Sequence, residues 1–319
     1  MTYFEAIVVG AFQGVTELFP VSSLGHSVLI PALVGGQWAR DLNVSAPESP
    51  YLAFIVGLHV ATAAALLLFF WRDWVRIIGG FFTSIRHRRV KTPEERLAWL
   101  IILATIPVGV SGLLLEHLFR TALGKPIPAA AFLIANGLVL YLGERLRRRS
   151  ASRPAARASA AGEGPGAQFA GTQEAGATRD LLGATDSSPD VRLSRLKFGE
   201  GVLIGSAQIL ALLAGISRSG VTMVAGLVRG LSHEDAARFS FLLATPVILA
   251  AGALKIPDLL GPLGAGIHGP ILAGSIASFI SAYLAVRFLD RYFHTRTLTP
   301  FAIYCGVAGL ASLLWLTLA

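Results

Sequence analysis

The sequence has little charge and almost no cysteine. Only 14% of its 319 residues are Asp, Glu, Lys or Arg, whereas 54% are apolar, and roughly a quarter of the residues in a soluble domain are charged. This excludes an ordinary cytosolic enzyme. The single cysteine, Cys305, lies in an apolar stretch, which excludes a disulfide and a thiolate metal cage. The N-terminus lacks a basic segment and a small-residue cleavage site, so we expect no cleaved signal.

The net charge of +8 does not indicate a nucleic acid partner, because most of the basic residues are concentrated in three segments. Of the 27 Lys and Arg, seven lie within 72–96, ten within 145–197 and three within 287–296. Positive charge concentrated in this way is typical of the cytoplasmic loops of membrane proteins.

Apolar residues occur in blocks as long as the hydrocarbon core of a bilayer, which needs about 20 helical residues. Six blocks predict full transmembrane helices: 51–70, 97–115, 126–144, 237–254, 269–286 and 300–318. If the segment 72–96 is cytoplasmic, the other basic segments fall on the same side of the membrane. The sequence therefore predicts an all-α integral membrane protein.

Two further apolar stretches, 4–36 and 199–230, are interrupted by polar residues near their middles. They align without gaps, so that Gln13 pairs with Gln208. Each stretch precedes three spans, an odd number, and the second half must therefore be inserted upside down relative to the first. We predict two re-entrant helical hairpins in an inverted-topology repeat, as found in many transporters.

The predicted organisation has a first repeat at 1–146, a linker at 147–198 and a second repeat at 199–319. The linker is rich in Ala, Gly, Ser, Pro and Arg, and such a composition buries too little apolar surface to fold alone. We expect a flexible cytoplasmic connection. A small hidden domain is the alternative.

The first hairpin places a carboxylate and an imidazole inside an apolar segment. Gln13 and Glu17 are four residues apart and share a helix face, and an ionisable group within a membrane segment is a functional hypothesis by default. A proline ends this half-helix, and Ser22 or Ser23 is placed to cap the next one, whose free N–H groups suit an anion. His26 is expected on the same side as Ser23.

The second hairpin places an arginine among hydroxyl groups after a break at Gly215. The residues that follow are Ser217, Arg218, Ser219, Gly220 and Thr222. Arginine with hydroxyls at a helix start suits phosphate. Glu17 would hold a divalent cation, since Mg²⁺ typically binds one or two carboxylates together with substrate phosphates. His26 or a serine would attack or relay protons, and Arg218 would stabilise developing charge.

These residues also have structural interpretations. Glu17 and Arg218 could form an ion pair with no other role, and any of the serines could be a simple helix cap. Gln208 could bind Gln13 across the pseudo-two-fold axis. We interpret His59, in the segment GLHVAT, as a packing residue.

The two polar motifs resemble a known family. QGVTELFPVSSLGH resembles the first signature of the bacterial undecaprenyl-diphosphate phosphatases, the bacitracin-resistance family, and AGISRSGVT resembles the second. FSFLLATP, ATIPVGVSG and NGLVLYLGERL are also similar to family segments. The resemblance implies hydrolysis of undecaprenyl diphosphate to undecaprenyl phosphate and inorganic phosphate. It further implies a divalent cation (Mg or Ca) and a site facing the outer side of the bacterial inner membrane.

The resemblance also implies roles for individual residues. The implied catalytic residues are His26, Glu17, Arg218 and Ser23. The implied substrate-binding residues are Ser22, Ser217, Ser219, Gly220 and Thr222. The implied metal ligands are Glu17 and Gln13. The nucleophile is open between His26, a serine and water.

The sequence departs from the family pattern at two positions and leaves two alternative functions open. Ala214 replaces the proline of the second motif, and Gln13 supplies one acidic ligand fewer than glutamate would. A transporter or flippase for a polyprenyl phosphate would suit the inverted repeat equally well, and a structural membrane protein is a third reading. Whether the protein works as a monomer or a homodimer is also open.

Overall fold

The computed structural model describes residues 1–42, 50–160, 189–261 and 266–318. Within these ranges all regular structure is helical, which confirms the predicted all-α class. The helices are α1 (Tyr3–Leu18), α2 (Ser23–Val34), α3 (Gly36–Asp41), α4 (Pro50–Phe69), α5 (Trp71–His87), α6 (Pro93–Leu123), α7 (Pro126–Ala160), α8 (Pro189–Ser194), α9 (Phe198–Ser206), α10 (Arg218–Val228), α11 (His233–Leu260), α12 (His268–Tyr292) and α13 (Thr299–Leu318). A 3₁₀ segment, Ala207–Leu212, extends α9.

Each of the six predicted spans coincides with a helix: α4, α6, α7, α11, α12 and α13. Among the described residues, five helices are long and apolar enough to cross a membrane, and a sixth span results if α4 and α5 count as one bent pair. Each of the two interrupted stretches forms a pair of shorter helices, α1 with α2 and α9 with α10, and the break in each lies where the sequence predicts it.

The segment 72–96, predicted as a loop, contains helix α5, which bends by 86° from α4. Its large apolar side chains recur at helical spacing and are at least half exposed: Trp71, Val75, Ile78, Phe82 and Ile85. The opposite side of α5, with Ile77, Gly80 and Ser84, is buried, and an exposed apolar face on a helix rich in arginine is typical of the membrane surface. The interspersed arginines lower the mean hydropathy, so the segment reads as a loop in the sequence.

The predicted linker is also more structured at its ends than expected. Helix α7 continues to Ala160, and the chain is again helical at α8. Alanine and arginine are strong helix formers, and they dominate the sequence after the end of the predicted span. Residues 161–188 of the predicted linker lie outside the described residues.

Glycines permit the closest helix contacts. A Cβ on Gly10 in α1 would overlap the backbone of Gly274 in α12, and a Cβ on Gly205 in α9 would overlap the carbonyl of Ala104 in α6. Small residues let membrane helices approach closely. An inverted repeat predicts this pair of contacts, because α1 corresponds to α9 and α12 to α6. The repeat itself stays a prediction.

Ion pairs attach the start of the second half to the rest of the bundle. Asp190 in α8 accepts hydrogen bonds from Arg76 at 3.0 Å and from Arg238 at 2.8 Å. Arg192 donates to Asp235 at 2.7 Å. These contacts join α8 to α5 and α11, so the last part of the predicted linker is attached to the helix bundle.

Candidate active site

The two interruptions meet in the middle of the bundle. Ser22 caps α2 with a backbone φ of +69°, in the left-handed region. Its hydroxyl oxygen accepts hydrogen bonds from the backbone N–H groups of Gly25 and Gly215, each at 3.2 Å. Gly215 has a φ of +113°, and a Cβ there would press on the backbone of α7. The predicted break at Gly215 is therefore confirmed, and one serine joins the two breaks.

A single amide from α7 also holds both breaks. The fully buried Asn136 donates through Nδ2 to the carbonyl oxygen of Pro20 at 3.0 Å. Its Oδ1 accepts from the backbone N–H of Ser217 at 3.0 Å. The hydroxyl of Ser219 donates to the carbonyl of Phe19 at 3.1 Å. The half-helices are thus fixed to each other by polar contacts that the bilayer interior cannot replace.

Glu17 is the centre of the site and is 7% exposed. Arg218 Nη2 donates to its Oε1 at 2.9 Å. The hydroxyl of Ser23 donates to its Oε2, and His59 Nε2 lies 3.2 Å from the same oxygen. A carboxylate from the first hairpin, an arginine from the second and an imidazole from α4 therefore meet at one point.

The hydrogen bonds of His59 define its role at this point. Its Nδ1 lies 2.7 Å from the carbonyl oxygen of Ile55, which can only accept, so Nδ1 carries a hydrogen. Nε2 then faces the Glu17 carboxylate, and two bare acceptors would repel each other at this distance. The contact requires a shared cation between them, either a proton or a metal ion. His59 is thus a partner of Glu17 and more than a packing residue.

These groups form the polar end of a cavity of about 290 Å³. Gln208 and Ser217 also line this end, whereas the other walls are mostly apolar and include Leu24, Val28, Ile55, Val108, Leu212, Val247 and Ile248. Among the described residues, four side-chain atoms are buried without a hydrogen-bond partner, and two of them, Arg218 Nη1 and Gln208 Oε1, belong to residues that line this cavity. Such groups are costly unless a ligand pairs with them. The cavity is therefore suited to a molecule with an anionic head and an apolar body.

His26 lies outside this cavity. Its Nδ1 donates to the carbonyl oxygen of Ser22 at 2.7 Å, so its Nε2 accepts from the hydroxyl of Tyr304 at 2.8 Å. The imidazole also stacks on the Tyr304 ring. Both nitrogens are used, and the ring is turned toward α13. The structure does not bring His26 to Glu17, although the sequence places the two only nine residues apart.

Gln13 lies on the same helix as Glu17 but does not line this cavity. Its Oε1 accepts from Thr62 Oγ1 at 3.0 Å and from Ser278 Oγ at 2.6 Å. In the described ranges, no group of three or more His, Cys, Asp or Glu residues is arranged to hold a metal ion. Of the two expected metal ligands, only Glu17 faces the cavity. One carboxylate fits Mg²⁺ when substrate phosphates complete the coordination.

The remaining predicted residues divide into two groups. Ser22, Ser23 and Ser217 line the cavity. Thr222 instead donates to the carbonyl of Arg218 at 2.7 Å, and Gly220 donates through its N–H to the Ser217 hydroxyl at 3.2 Å. Ser219, Gly220 and Thr222 thus support the start of α10 and do not face the cavity.

Sequence reasoning missed the contributions of His59, Asn136 and Tyr304. A usable signal existed for His59, because an ionisable side chain within a membrane span is a functional hypothesis by default. The same rule identifies Glu17. The signal for Tyr304 is absent from the sequence, since its contact with His26 joins positions 278 residues apart.

The fold and the cavity define a multi-span helical membrane protein with a charged site enclosed among its helices. Residues 6–311 match the bacitracin resistance protein BacA family, and the chain belongs to this family.

Relatives of the chain span its whole length. It is 70% identical over 318 residues to an undecaprenyl-diphosphatase of Mycolicibacterium paratuberculosis, covering 100% of this chain and 98% of the relative. It is 54% identical over 357 residues to undecaprenyl-diphosphatase 1 of Frankia casuarinae, with 97% and 96% covered. It is 40% identical over 320 residues to undecaprenyl-diphosphatase 2 of Chromobacterium violaceum, with 99% of each chain covered.

Proposed function

We propose that this chain is an undecaprenyl-diphosphatase of the bacterial inner membrane. It would hydrolyse undecaprenyl diphosphate to undecaprenyl phosphate and inorganic phosphate, with its site open to the outer side. The observation that carries this proposal is the buried, unpartnered Nη1 of Arg218 in a cavity that also holds a hydroxyl bonded to a carboxylate. The names of the relatives, at 40% to 70% identity, support the same activity.

Ser23 is the best placed nucleophile. Its hydroxyl donates to Glu17 Oε2, and a nucleophile within hydrogen-bond reach of a base is the usual arrangement for covalent catalysis. Oγ would attack the terminal phosphorus while Glu17 takes the proton. The bridging P–O bond breaks and undecaprenyl phosphate leaves. Water then cleaves the phosphoserine, which releases inorganic phosphate and restores the hydroxyl.

Arg218 and the two half-helices would hold the diphosphate. Arg218 donates to Glu17 through Nη2, and its Nη1 is unpaired. It can therefore orient the Glu17 carboxylate and bind a phosphate oxygen at the same time. Ser23 and Ser217 place the starts of α2 and α10 at the cavity, and helix N-termini favour anions. His59 would keep the Glu17 carboxylate turned toward Ser23.

A divalent cation, Mg²⁺ or Ca²⁺, is part of the proposal. Glu17 would hold it together with phosphate oxygens of the substrate. The ion would neutralise the charge of the diphosphate when bound. Gln13 is not a cation ligand in this proposal, because its amide oxygen already accepts from Thr62 and Ser278; its buried Nε2 has no partner among the described residues.

The test is phosphate release from undecaprenyl diphosphate by the purified full-length protein in detergent, with and without a chelator. We compare the wild type with Ser23→Ala and with Ser281→Ala, a control serine that donates to a backbone carbonyl in α12. The control should match the wild type, and Ser23→Ala should lose at least about 10³-fold in kcat. Trapped phosphoserine at position 23 would identify the intermediate.

Three other results would each contradict one part of the proposal: the nucleophile, the cation or the hydrolytic activity. Full activity of Ser23→Ala would remove Ser23 as the nucleophile and favour attack by water. Activity that survives the chelator would remove the cation. No phosphate release by a well-folded wild type, together with movement of polyprenyl phosphate across liposomes, would replace the phosphatase with the flippase.

A further inference from the structure

Two adjoining cavities lie where the apolar, span-length part of α7 (Pro126–Arg149) ends and α13 begins, away from the candidate active site. One has a volume of about 380 Å³ and the other about 750 Å³, and both are lined by Arg148 and Thr299. Four arginines contribute to their walls: Arg145, Arg148, Arg149 and Arg296. We call the two cavities together the basic cleft. It has no lining residue in common with the cavity around Glu17.

The basic cleft has a net positive charge. Among the described residues that line it, Glu144 is the only acidic one. Its carboxylate is already engaged, since His233 Nε2 lies 2.8 Å from Oε2 and Arg148 Nε lies 3.4 Å from Oε1. The side chain of Glu144 is 4% exposed, whereas that of Arg148 is 65% exposed. The cleft therefore presents guanidinium groups outward and has no comparable negative group.

Apolar side chains continue from the basic cleft along the outer faces of the same helices. Phe288 and Ile303 line the cleft and are more than half exposed. Leu142 on α7 and Val307 on α13 are likewise more than half exposed. Arg145 lies over the ring of Tyr141, with its Cζ 5.4 Å from the centroid. Tyrosine beside arginine at the end of an apolar helix face is typical of the membrane–water interface.

We infer that the basic cleft is a binding site for the headgroup of an anionic glycerophospholipid. The planar guanidinium fork matches the oxygens of a phosphate, and the exposed apolar faces below it offer contact to acyl chains. Basic pockets between transmembrane helices bind anionic headgroups on the cytoplasmic side, where the distribution of Lys and Arg places these helix ends.

The experiment measures binding of cardiolipin to the purified full-length protein by native mass spectrometry, with phosphatidylcholine as the uncharged comparison. The variant combines Arg145→Gln, Arg148→Gln and Arg296→Gln. A matched control combines Arg86→Gln, Arg89→Gln and Lys91→Gln, which removes equal charge from the other basic segment. Each arginine should contribute about fivefold to affinity. The triple variant should therefore bind cardiolipin about two orders of magnitude more weakly, and the control should bind like the wild type.

Three outcomes would overturn the inference. In the first, the triple variant binds cardiolipin as tightly as the wild type. In the second, the control loses as much affinity for cardiolipin as the triple variant does. In the third, the wild type binds phosphatidylcholine as tightly as it binds cardiolipin. Undecaprenyl phosphate is added as a competitor. If the cleft binds it more tightly than cardiolipin, the site belongs to the polyprenyl lipid and the inference is wrong. A monodisperse elution profile and unchanged helical circular dichroism show that each variant is folded. Arg296→Gln alone gives a second measurement if the triple variant does not fold.

Discussion

At the scale of single residues, the candidate site depends on how Glu17 is held. Three side chains on three different helices converge on its two carboxylate oxygens. Glu17→Gln keeps the shape of the side chain but removes the charge and one acceptor. We expect kcat to fall at least about 10³-fold, because the base for the nucleophile is lost. Phosphate release by purified protein measures this effect, and turnover within tenfold of the wild type would contradict the site assignment.

His59 should matter for turnover more than for folding. His59→Ala removes the contact with Glu17 Oε2, and we expect kcat to fall about 10²-fold with little change in Tm. His59→Gln retains a hydrogen-bond donor and should recover part of the loss. His87→Ala, on the exposed end of α5, is the control and should leave kcat unchanged. If His59→Ala lowers Tm and leaves kcat intact, His59 is a packing residue as first interpreted.

The motif residues of the site could be predicted from the sequence, but their geometry only in part. Glu17, Ser23 and Arg218 meet as expected, because each lies at a break where a polar group has few other partners. The orientation of His26 could not be predicted, since the carbonyl of Ser22 and the hydroxyl of the distant Tyr304 together turn its ring. Local spacing contains no information about such a contact.

At the scale of helices, Asn136 fixes α7 to both breaks. Asn136→Ala would leave the N–H of Ser217 buried without its partner, and the carbonyl of Pro20 with only the weak thiol donor of Cys305 at 3.7 Å. Each unpaired group costs about 1–3 kcal/mol, so we expect a lower Tm and reduced phosphate release. Thermal unfolding in detergent measures the first effect. Asn136→Asp retains an acceptor for Ser217 but sets a buried carboxylate oxygen against the carbonyl of Pro20, and should lower Tm at least as much. An unchanged Tm in both variants would show that the amide does not support the breaks.

Helix contact at glycine gives a second prediction at this scale. Gly10→Ala would push α1 away from α12, because the added methyl group overlaps the Gly274 backbone. Overpacking of this kind costs about 1–3 kcal/mol. Gly112→Ala in α6 meets no atom within 4 Å and is the matched control, with a Tm equal to or slightly above that of the wild type. Equal Tm values for the two variants would contradict the close contact.

The helices themselves could be predicted well where a span is uniformly apolar, as in α11 or α13. Prediction failed for α5, because an interfacial helix needs only one apolar face and its arginines make it resemble a loop. It also missed the continuation of α7 beyond its predicted span. In both cases intrinsic helix propensity and one-sided burial determine the structure, and mean hydropathy does not detect them.

At the scale of the whole molecule, neither half contains a complete site. Glu17, Ser23 and His59 come from the first half, and Gln208 and Arg218 come from the second. A protease site inserted within 161–188 would allow the folded protein to be cut between the halves. We expect full activity after cleavage, because helix packing and the ion pairs of α8 hold the halves together. Phosphate release and co-elution of both fragments are the measurements, and dissociation into inactive fragments would contradict this expectation.

The one-sided lining of the cavity has a consequence for the direction of the proposed reaction. Its apolar walls and polar end match a molecule that has both parts, and cleavage separates an inorganic ion from a lipid monophosphate. The ion is diluted in an aqueous volume, whereas the lipid spreads in a two-dimensional film. The reverse reaction would require both to return to one place from two different solvents. Separation of the two products into different phases therefore opposes the reverse reaction.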